Sequence, residues 1–372
     1  MRTPSWDRAL HDVRSLCAAV RRSQCRAYQF WDGFDHYNSS TELWDSVTGS
    51  VSYSSALARY TAPAGLLGQG MKCNGIAYKF KNLLSNESSL YFGFSFLAPQ
   101  FGTGGRMVGF NQGGSFQSGV NITSAGGLAM MGGGFGTVLL AQSAPSVIST
   151  GVWHWLDLLV TFSPSSGSIA AYLDAPVGGS PFFTATSLNT ANTGNAWIDQ
   201  FYVGDVGNQF NGLQLDDFHC HDTTGSAPNS VLGSSRIYTK KPNGAGYSTL
   251  WTPNGASANW QCVDDSPPDG DTTYNSSATA GQIDGYDAPS AGLSSTPNGL
   301  VRRSYIRTDG GAHTFQNGIR SGSSNGLGTA VSVPSSYGWT DCATCYVDDP
   351  ATSAPFTAAA ADAVELVIDE TS

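Results

Sequence analysis

From Phe30 onward, apolar residues fall at every second position in short runs that end in Gly, Ser, Asn or Pro, and this alternation limits the possible folds more than any other feature. Successive side chains of a strand point to opposite faces, so such runs read as half-buried antiparallel strands. The spacing predicts strands at 90–97, 106–110, 120–123, 137–142, 154–162, 168–173, 182–186, 198–203 and 213–219. The loop Ser163-Pro-Ser-Ser-Gly-Ser168 joins two of the clearest as a hairpin. After a polar break at residues 221–228, a second set is predicted at 236–240, 301–307, 329–333 and 364–368, separated by long loops. The Ala-rich stretch 357–364 reads as a short helix with Thr357 as its N-cap. A chain of 372 residues has room for two cores, and 45 glycines with only 12% charged residues suit many short strands and polar turns. The expected fold is all-β, two antiparallel β-sandwich or jelly-roll domains at 30–225 and 226–372, preceded by a short helical arm at 1–29.

That arm differs from the body in charge. Residues 1–26 hold Arg2, Arg8, Arg14, Arg21, Arg22 and Arg26 against Asp7 and Asp12, which makes the arm +4 and leaves −14 of the net −10 to the rest. Leu10, Val13, Cys17 and Val20 recur at helical spacing. A lone helix of this length is marginal in water, so it packs either on its own body or on a neighbouring subunit. Arg8, Arg14, Arg21, Arg22 and Arg26 are the candidate partner-docking residues. The acidic body repels nucleic acid and anionic membrane. No apolar run approaches the ~20 residues of a membrane span, and Leu16–Val20 is too short for a secretory signal. Seven cysteines, an odd set without regular spacing, read as reduced thiols made in a cytosol.

Catalytic patterns are sparse. A glycosidase normally needs two carboxyl groups across the scissile bond, and the four glutamates, Glu42, Glu87, Glu365 and Glu370, are scattered. Asp216 and Asp217 are adjacent on a strand and should face opposite sides of the sheet, which would keep them from sharing a cleft. Gly322-Ser-Ser-Asn-Gly326 spells a nucleophile elbow, but another strand follows where that motif requires a helix. Cys342-Ala-Thr-Cys345 has zinc-like spacing without a second pair, and His219-Cys220-His221 could reach it only through the fold. The loop Asp264-Asp-Ser-Pro-Pro-Asp-Gly-Asp271 offers oxygen ligands suited to calcium, or stands as a solvated acidic loop. For sugar contacts the candidates are Trp31, Trp44, Trp251 and Trp260, whereas Trp153 and Trp155 share one sheet face. Asn38, Asn86, Asn121 and Asn275 head Asn-x-Ser/Thr triplets, a frequency that chance explains in so polar a chain.

Two resemblances add to this reading. The opening Phe30-Trp-Asp-Gly-Phe-Asp-His-Tyr37, the pair Trp153-His-Trp155-Leu-Asp-Leu-Leu-Val-Thr161 and Gly167-Ser-Ile-Ala-Ala-Tyr-Leu-Asp174, and the closing Leu213-Gln-Leu-Asp-Asp-Phe218 resemble the concanavalin A-like, or laminin G-like, jelly rolls. A second block is similar to one in phage and prophage virion proteins, which commonly join it to a laminin G-like module. It comprises Leu215-Asp-Asp-Phe218, Leu232-Gly-Ser-Ser-Arg-Ile-Tyr238, Trp251-Thr-Pro-Asn254, Asp269-Gly-Asp-Thr-Thr-Tyr274 and Asp349-Pro-Ala-Thr352 followed by Phe356-Thr357. This resemblance implies a structural component of a bacteriophage particle: a capsid decoration, neck or tail protein anchored by its arm. It would be made in the host bacterial cytoplasm, reside in the virion, form a homo-oligomer and contact other phage structural proteins. It implies neither enzyme activity nor a cofactor. The alternative is a tail receptor-binding protein that recognises host surface glycans. The same fold serves many functions.

Overall fold

The computed structural model describes residues 28–35, 43–224, 229–340 and 344–372, with Phe135 described by its backbone alone. Residues 1–27 of the expected helical arm, with Arg8, Arg14, Arg21, Arg22 and Arg26, lie outside the described residues, while its last two, Tyr28 and Gln29, are instead the buried start of a strand.

Residues 28–222 build thirteen antiparallel strands. They are β1 (Tyr28–Asp32), β2 (Ser46–Ser54), β3 (Gly70–Glu87), β4 (Ser89–Leu97), β5 (Gly105–Gln112), β6 (Ser115–Ile122), β7 (Leu128–Gly132), β8 (Val138–Gln142), β9 (Trp153–Thr161), β10 (Gly167–Leu173), β11 (Phe183–Leu188), β12 (Ile198–Asp205) and β13 (Gln214–Asp222). Hydrogen bonding runs in the order β11-β10-β9-β4-β13-β3-β12-β5-β6-β7-β8, with β1 added on β13 and β2 on β3. The sheet folds back on itself at β3. Its start pairs with β13 at Met71 and Lys72, and the rest pairs with β12 from Ala77 to Glu87.

The alternation of β4 explains the core. Leu90, Phe92, Phe94 and Phe96 are all fully buried. Phe92 meets Phe110 of β5 at 5.7 Å and Phe218 of β13 at 4.7 Å, edge to face, so rings from both layers interlock. Burying one such side chain is worth about 1.5–3 kcal/mol. The other face of β4 presents Gly93 and Ser95, small and polar, yet these too are buried. Side chains of the same half cover them: His219 and Asp157 close on Gly93, and Arg59 donates to Ser95.

Residues 244–370 form a smaller system. One sheet orders Gly244–Thr249, Ile283–Asp287, Glu365–Glu370, Thr314–Ser321 and Ser324–Leu327, with Val331–Ser332 beside Thr314–Ser321, and four two-stranded ribbons surround it. Its buried residues fall into two small clusters, around Phe315 and around Phe356. A polar knot supplements them. Buried Asp284 accepts from Asn259 Nδ2 at 2.8 Å and from the Tyr286 hydroxyl at 2.8 Å, while Asn275 donates to that hydroxyl at 2.9 Å. The predicted helix is present as Ala358–Asp362, capped by Thr357 Oγ1, which accepts from Ala360 N at 3.1 Å. No helix among the described residues is long and apolar enough to cross a membrane.

The nine strands expected before residue 220 each correspond to one of β4–β6 or β8–β13, with ends shifted by a few residues. In the second half the reading needs correction. The strand expected at 236–240 is not one. Only an isolated bridge, Leu67 to Thr239, forms there, because this segment gives its hydrogen bonds to side chains of the first sheet. The strand expected at 301–307 is divided into Leu300–Val301 and Ser304–Ile306, which pair with different partners.

Candidate functional site

The covered face of the first sheet brings titratable and aromatic groups of β4, β9 and β13 together. On β13, Phe218 and Cys220 enter the core, while His219 and His221 point to the covered side. This separation keeps the Cys220 thiol away from both imidazoles. His219 Nε2 lies 3.0 Å from Asp157 Oδ1, and Trp155 Nε1 donates to Asp157 Oδ2 at 2.7 Å. The sequence makes room for this pair at Gly93, where a Cβ would stand 2.2 Å from His219 Nε2 and 2.3 Å from Asp157 Oδ1. The rings continue as a stack: Tyr91 on His221 at 5.0 Å, His221 on His219 at 5.2 Å and His219 on Trp155 at 5.6 Å. The Arg59 guanidinium closes it, 5.5 Å from the Trp155 centroid.

An Asp–His pair is the core of many acid–base sites, but a nucleophilic mechanism also needs a hydroxyl or thiol on the free imidazole nitrogen. Among the described residues His219 Nδ1 has no hydrogen-bond partner, and the ring is 3% exposed. His221 donates from Nε2 to Ser230 O at 3.0 Å. Burial, then the neighbouring His219, pushes its pKa down to about 3, so it is neutral at ordinary pH.

Beside the stack, a β-bulge overturns the expectation for Asp216 and Asp217. The register of β13 on β4 jumps from Asp216 opposite Ser95 to His219 opposite Gly93, and Asp217 takes a left-handed φ of 52°. The extra residue breaks strict alternation, so both carboxylates line the same small cavity. Asp216 Oδ2 accepts from Arg59 N at 2.7 Å, and Asp217 Oδ1 accepts from Ile237 N at 2.7 Å. Asp35 joins them around a cavity of about 10 Å³, accepting from Gln69 N and the Thr239 hydroxyl. Burial pushes all three carboxyls up, and repulsion between Asp216 and Asp217 pushes Asp216 further. Arg59 also donates to Ser95 and Ser234, and Arg236 to Thr61 O. The segment 230–239 is thereby strapped across the sheet, holding the second half of the chain against the first.

Next to the strap lies a cavity of about 1360 Å³ between the two halves, lined by Trp31, Trp251, Tyr305, Tyr337, Trp339 and Arg307 among others. Tyr305 and Tyr337 stack at 5.0 Å and 8°. Arg307 sits 5.1 Å from the Tyr337 centroid and is paired with Asp271 and Asp309.

Of the four tryptophans marked for sugar contact, Trp31 and Trp251 line this cavity. Trp44 is buried in the first core, donating to Asp32, and Trp260 packs on the second. The platform residues Tyr305, Tyr337 and Trp339 carry no local signal in the sequence, since Tyr305 stands 32 positions before Tyr337 and only strand pairing brings them together. In the acidic loop, Asp265 and Asp269 take the Thr273 hydroxyl, and Asp271 takes Arg307 and Tyr337. No group of three His, Cys, Asp or Glu among the described residues is placed to hold a metal ion. Cys342 is outside them, Cys73, Cys220 and Cys262 are free and buried, and Cys345 is buried. Gly322–Gly326 is the turn and start of a hairpin between Thr314–Ser321 and Ser324–Leu327, so no nucleophile elbow forms. Of the Asn-x-Ser/Thr sites, Asn86 is exposed on β3, Asn275 is engaged in the polar knot, and Asn38 is outside the described residues.

No protein-family model matches the sequence, and no curated protein matches it. Among solved structures, the chain is similar to the cellulose induced protein Cip1, at 14% identity over 55% of this chain and 100% of that one, with a TM-score of 0.38. It is also similar to a glycosyl hydrolase family 16 protein from Mycobacterium smegmatis, at 10% identity over 52% and 99%, TM-score 0.32. A third is a carbohydrate binding module from Bacillus subtilis, at 10% identity over 46% and 95%, TM-score 0.27.

Proposed function

We propose that this chain is a structural component of a bacteriophage particle, a capsid decoration, neck or tail protein that attaches through its N-terminal arm and projects its β domains outward. The observation that carries this reading is the use made of the block by which the sequence resembles virion proteins. Asp216 and Asp217 hold Arg59 and Ile237, and Ser234 and Arg236 fasten the strap. Trp251 closes the second core, donating to Gln282 O, and Thr273 ties down the acidic loop. Asp349 fixes its turn through Ala351 N, and Thr357 caps the helix. The named residues of the block hold backbone in place. A block spent on architecture suits a protein whose task is to position surfaces, and on this reading the chain performs no catalysis. Deleting residues 1–27, which leaves β1 whole, tests the anchoring: the truncated chain is expected to be missing from assembled particles, and normal incorporation would overturn it.

A second reading, recognition of a host surface glycan, is favoured by one observation, the cavity with its Tyr305–Tyr337 platform. Sugars stack on aromatic faces flanked by polar groups. A glycan array should then give hits that Tyr305→Ala abolishes. An array without hits counts against it.

A further inference from the structure

An imidazole held by a carboxylate activates a nucleophile only when its other nitrogen faces one, and the pair that His219 makes with Asp157 lacks it. The loop between β8 and β9 supplies one to another imidazole. Ser149 Oγ stands 2.9 Å from His154 Nε2, and His154 Nδ1 stands 2.7 Å from Asp174 Oδ2. The three residues come from three pieces of the fold: the 143–152 loop, the start of β9, and the position just after β10. Each is held in place. Asp174, at a left-handed φ of 50°, is fastened to Trp155 twice, its N donating to Trp155 O at 2.8 Å and its Oδ1 accepting from Trp155 N at 2.7 Å. His154 is 7% exposed and packs on Phe96, with ring centroids 5.7 Å apart. The loop is pinned on both sides of Ser149, where Ile148 N donates to Gly126 O and Gly151 N to Ala98 O, each at 2.9 Å. Ser149 itself is exposed.

We propose that Ser149, His154 and Asp174 form a hydrolytic triad that cleaves short-chain carboxylic esters. This goes beyond the architectural role, which does not depend on it, and gives the chain a catalytic site that the architectural reading leaves out. Asp174 fixes the tautomer: with a carboxylate at Nδ1 the proton sits there, and Nε2 keeps a lone pair for the Ser149 hydroxyl. Ser149 N approaches the same nitrogen at 3.2 Å, the longer of the two contacts, and favours the same tautomer. Oγ bonds to the ester carbonyl carbon while its proton passes to Nε2, and Asp174 stabilises the imidazolium. That proton then goes to the departing alkoxide as its C–O bond breaks, which leaves the acyl group on Ser149. Water repeats the sequence: its proton passes to Nε2, its oxygen bonds to the acyl carbon, and Oγ takes the proton back as its own bond breaks, releasing the acid. Thr150 N, the amide after the nucleophile, makes no hydrogen bond among the described residues and is available to the oxyanion. Exposure sets the substrate class. Residues 149–152 all stand on open surface, which suits a small acyl group carried by a large hydrated molecule, whereas a long acyl chain needs an enclosed apolar pocket.

The test treats the full chain with p-nitrophenyl acetate and with a fluorophosphonate probe. Turnover is expected, with the probe attached to Ser149 when its position is mapped by mass spectrometry. Ser149→Ala, at an exposed position, should keep the melting temperature and lose turnover by on the order of a hundredfold or more. Asp174→Asn should lose labelling and turnover together. A loop clamp alone would use the same contacts and give neither. A wild type without label at Ser149, or one no faster than Ser149→Ala, therefore overturns the proposal. Faster hydrolysis of p-nitrophenyl octanoate than of the acetate would overturn the short-chain assignment. Should Asp174→Asn fail to fold, Ser149→Ala decides.

Discussion

The two halves of this chain reach stability by different routes. The first has one continuous core in which phenylalanines from both layers interlock. The second has two clusters of four buried residues each, too little apolar material for its length, and leans on hydrogen-bonded side chains and on the strap that joins it to the first. Packing and polar satisfaction are therefore not interchangeable: the first half depends on shape, the second on leaving no partner unpaired.

The sharpest way to break this contrast is Phe92→Ala. It removes a ring that four other phenylalanines touch and is expected to cost about 3–5 kcal/mol, read as a lowered urea midpoint of the first half. Asp284→Ala is the counterpart in the second half. It strands Asn259 and Tyr286 and should cost about 1–3 kcal/mol, with the loss confined to signals from the second half, such as Trp251 fluorescence. A core substitution milder than the polar one would reverse the comparison.

A smaller effect sharpens the account of the strap. The carboxyls of Asp35, Asp216 and Asp217 titrate above their unfolded values, so between about pH 4 and their folded values the unfolded state gives up its protons first, and stability falls as pH rises. His221 acts in the opposite sense. Its folded value of about 3 lies below the unfolded one, so stability is lost as pH falls below about 6.5. Asp216→Asn isolates the carboxylate part. Its melting temperature relative to wild type should rise steadily from pH 4 to pH 8, and a flat difference would mean the strap does not carry the repulsion. The smallest effect is expected for Arg307→Ala. Its ion pairs with Asp271 and Asp309 are exposed, and no resolvable change in midpoint should follow.

The same contrast decides what the sequence could tell. Strands such as β4 and β9 were legible because one face is apolar at every second residue. The 18-residue β3 was not, since Lys72, Asn74, Lys79, Lys81 and Asn82 interrupt its pattern. Thr314–Ser321, the strand beside the C-terminal one, was missed for the same reason: Asn317 and Ser321 are buried and polar. The covered face was hidden altogether. Asp216 and Asp217 line one small cavity through a bulge that alternation does not announce, and His219 meets Asp157 across 62 positions.

The central claim is that this chain belongs to a phage particle, and the most direct measurement is mass spectrometry of particles purified by density banding from a strain that encodes it. The expected result is the full-length chain in the particle band, at a constant ratio to the other particle proteins across the gradient. Its absence from the band, with the chain recovered free in the supernatant, would contradict the claim.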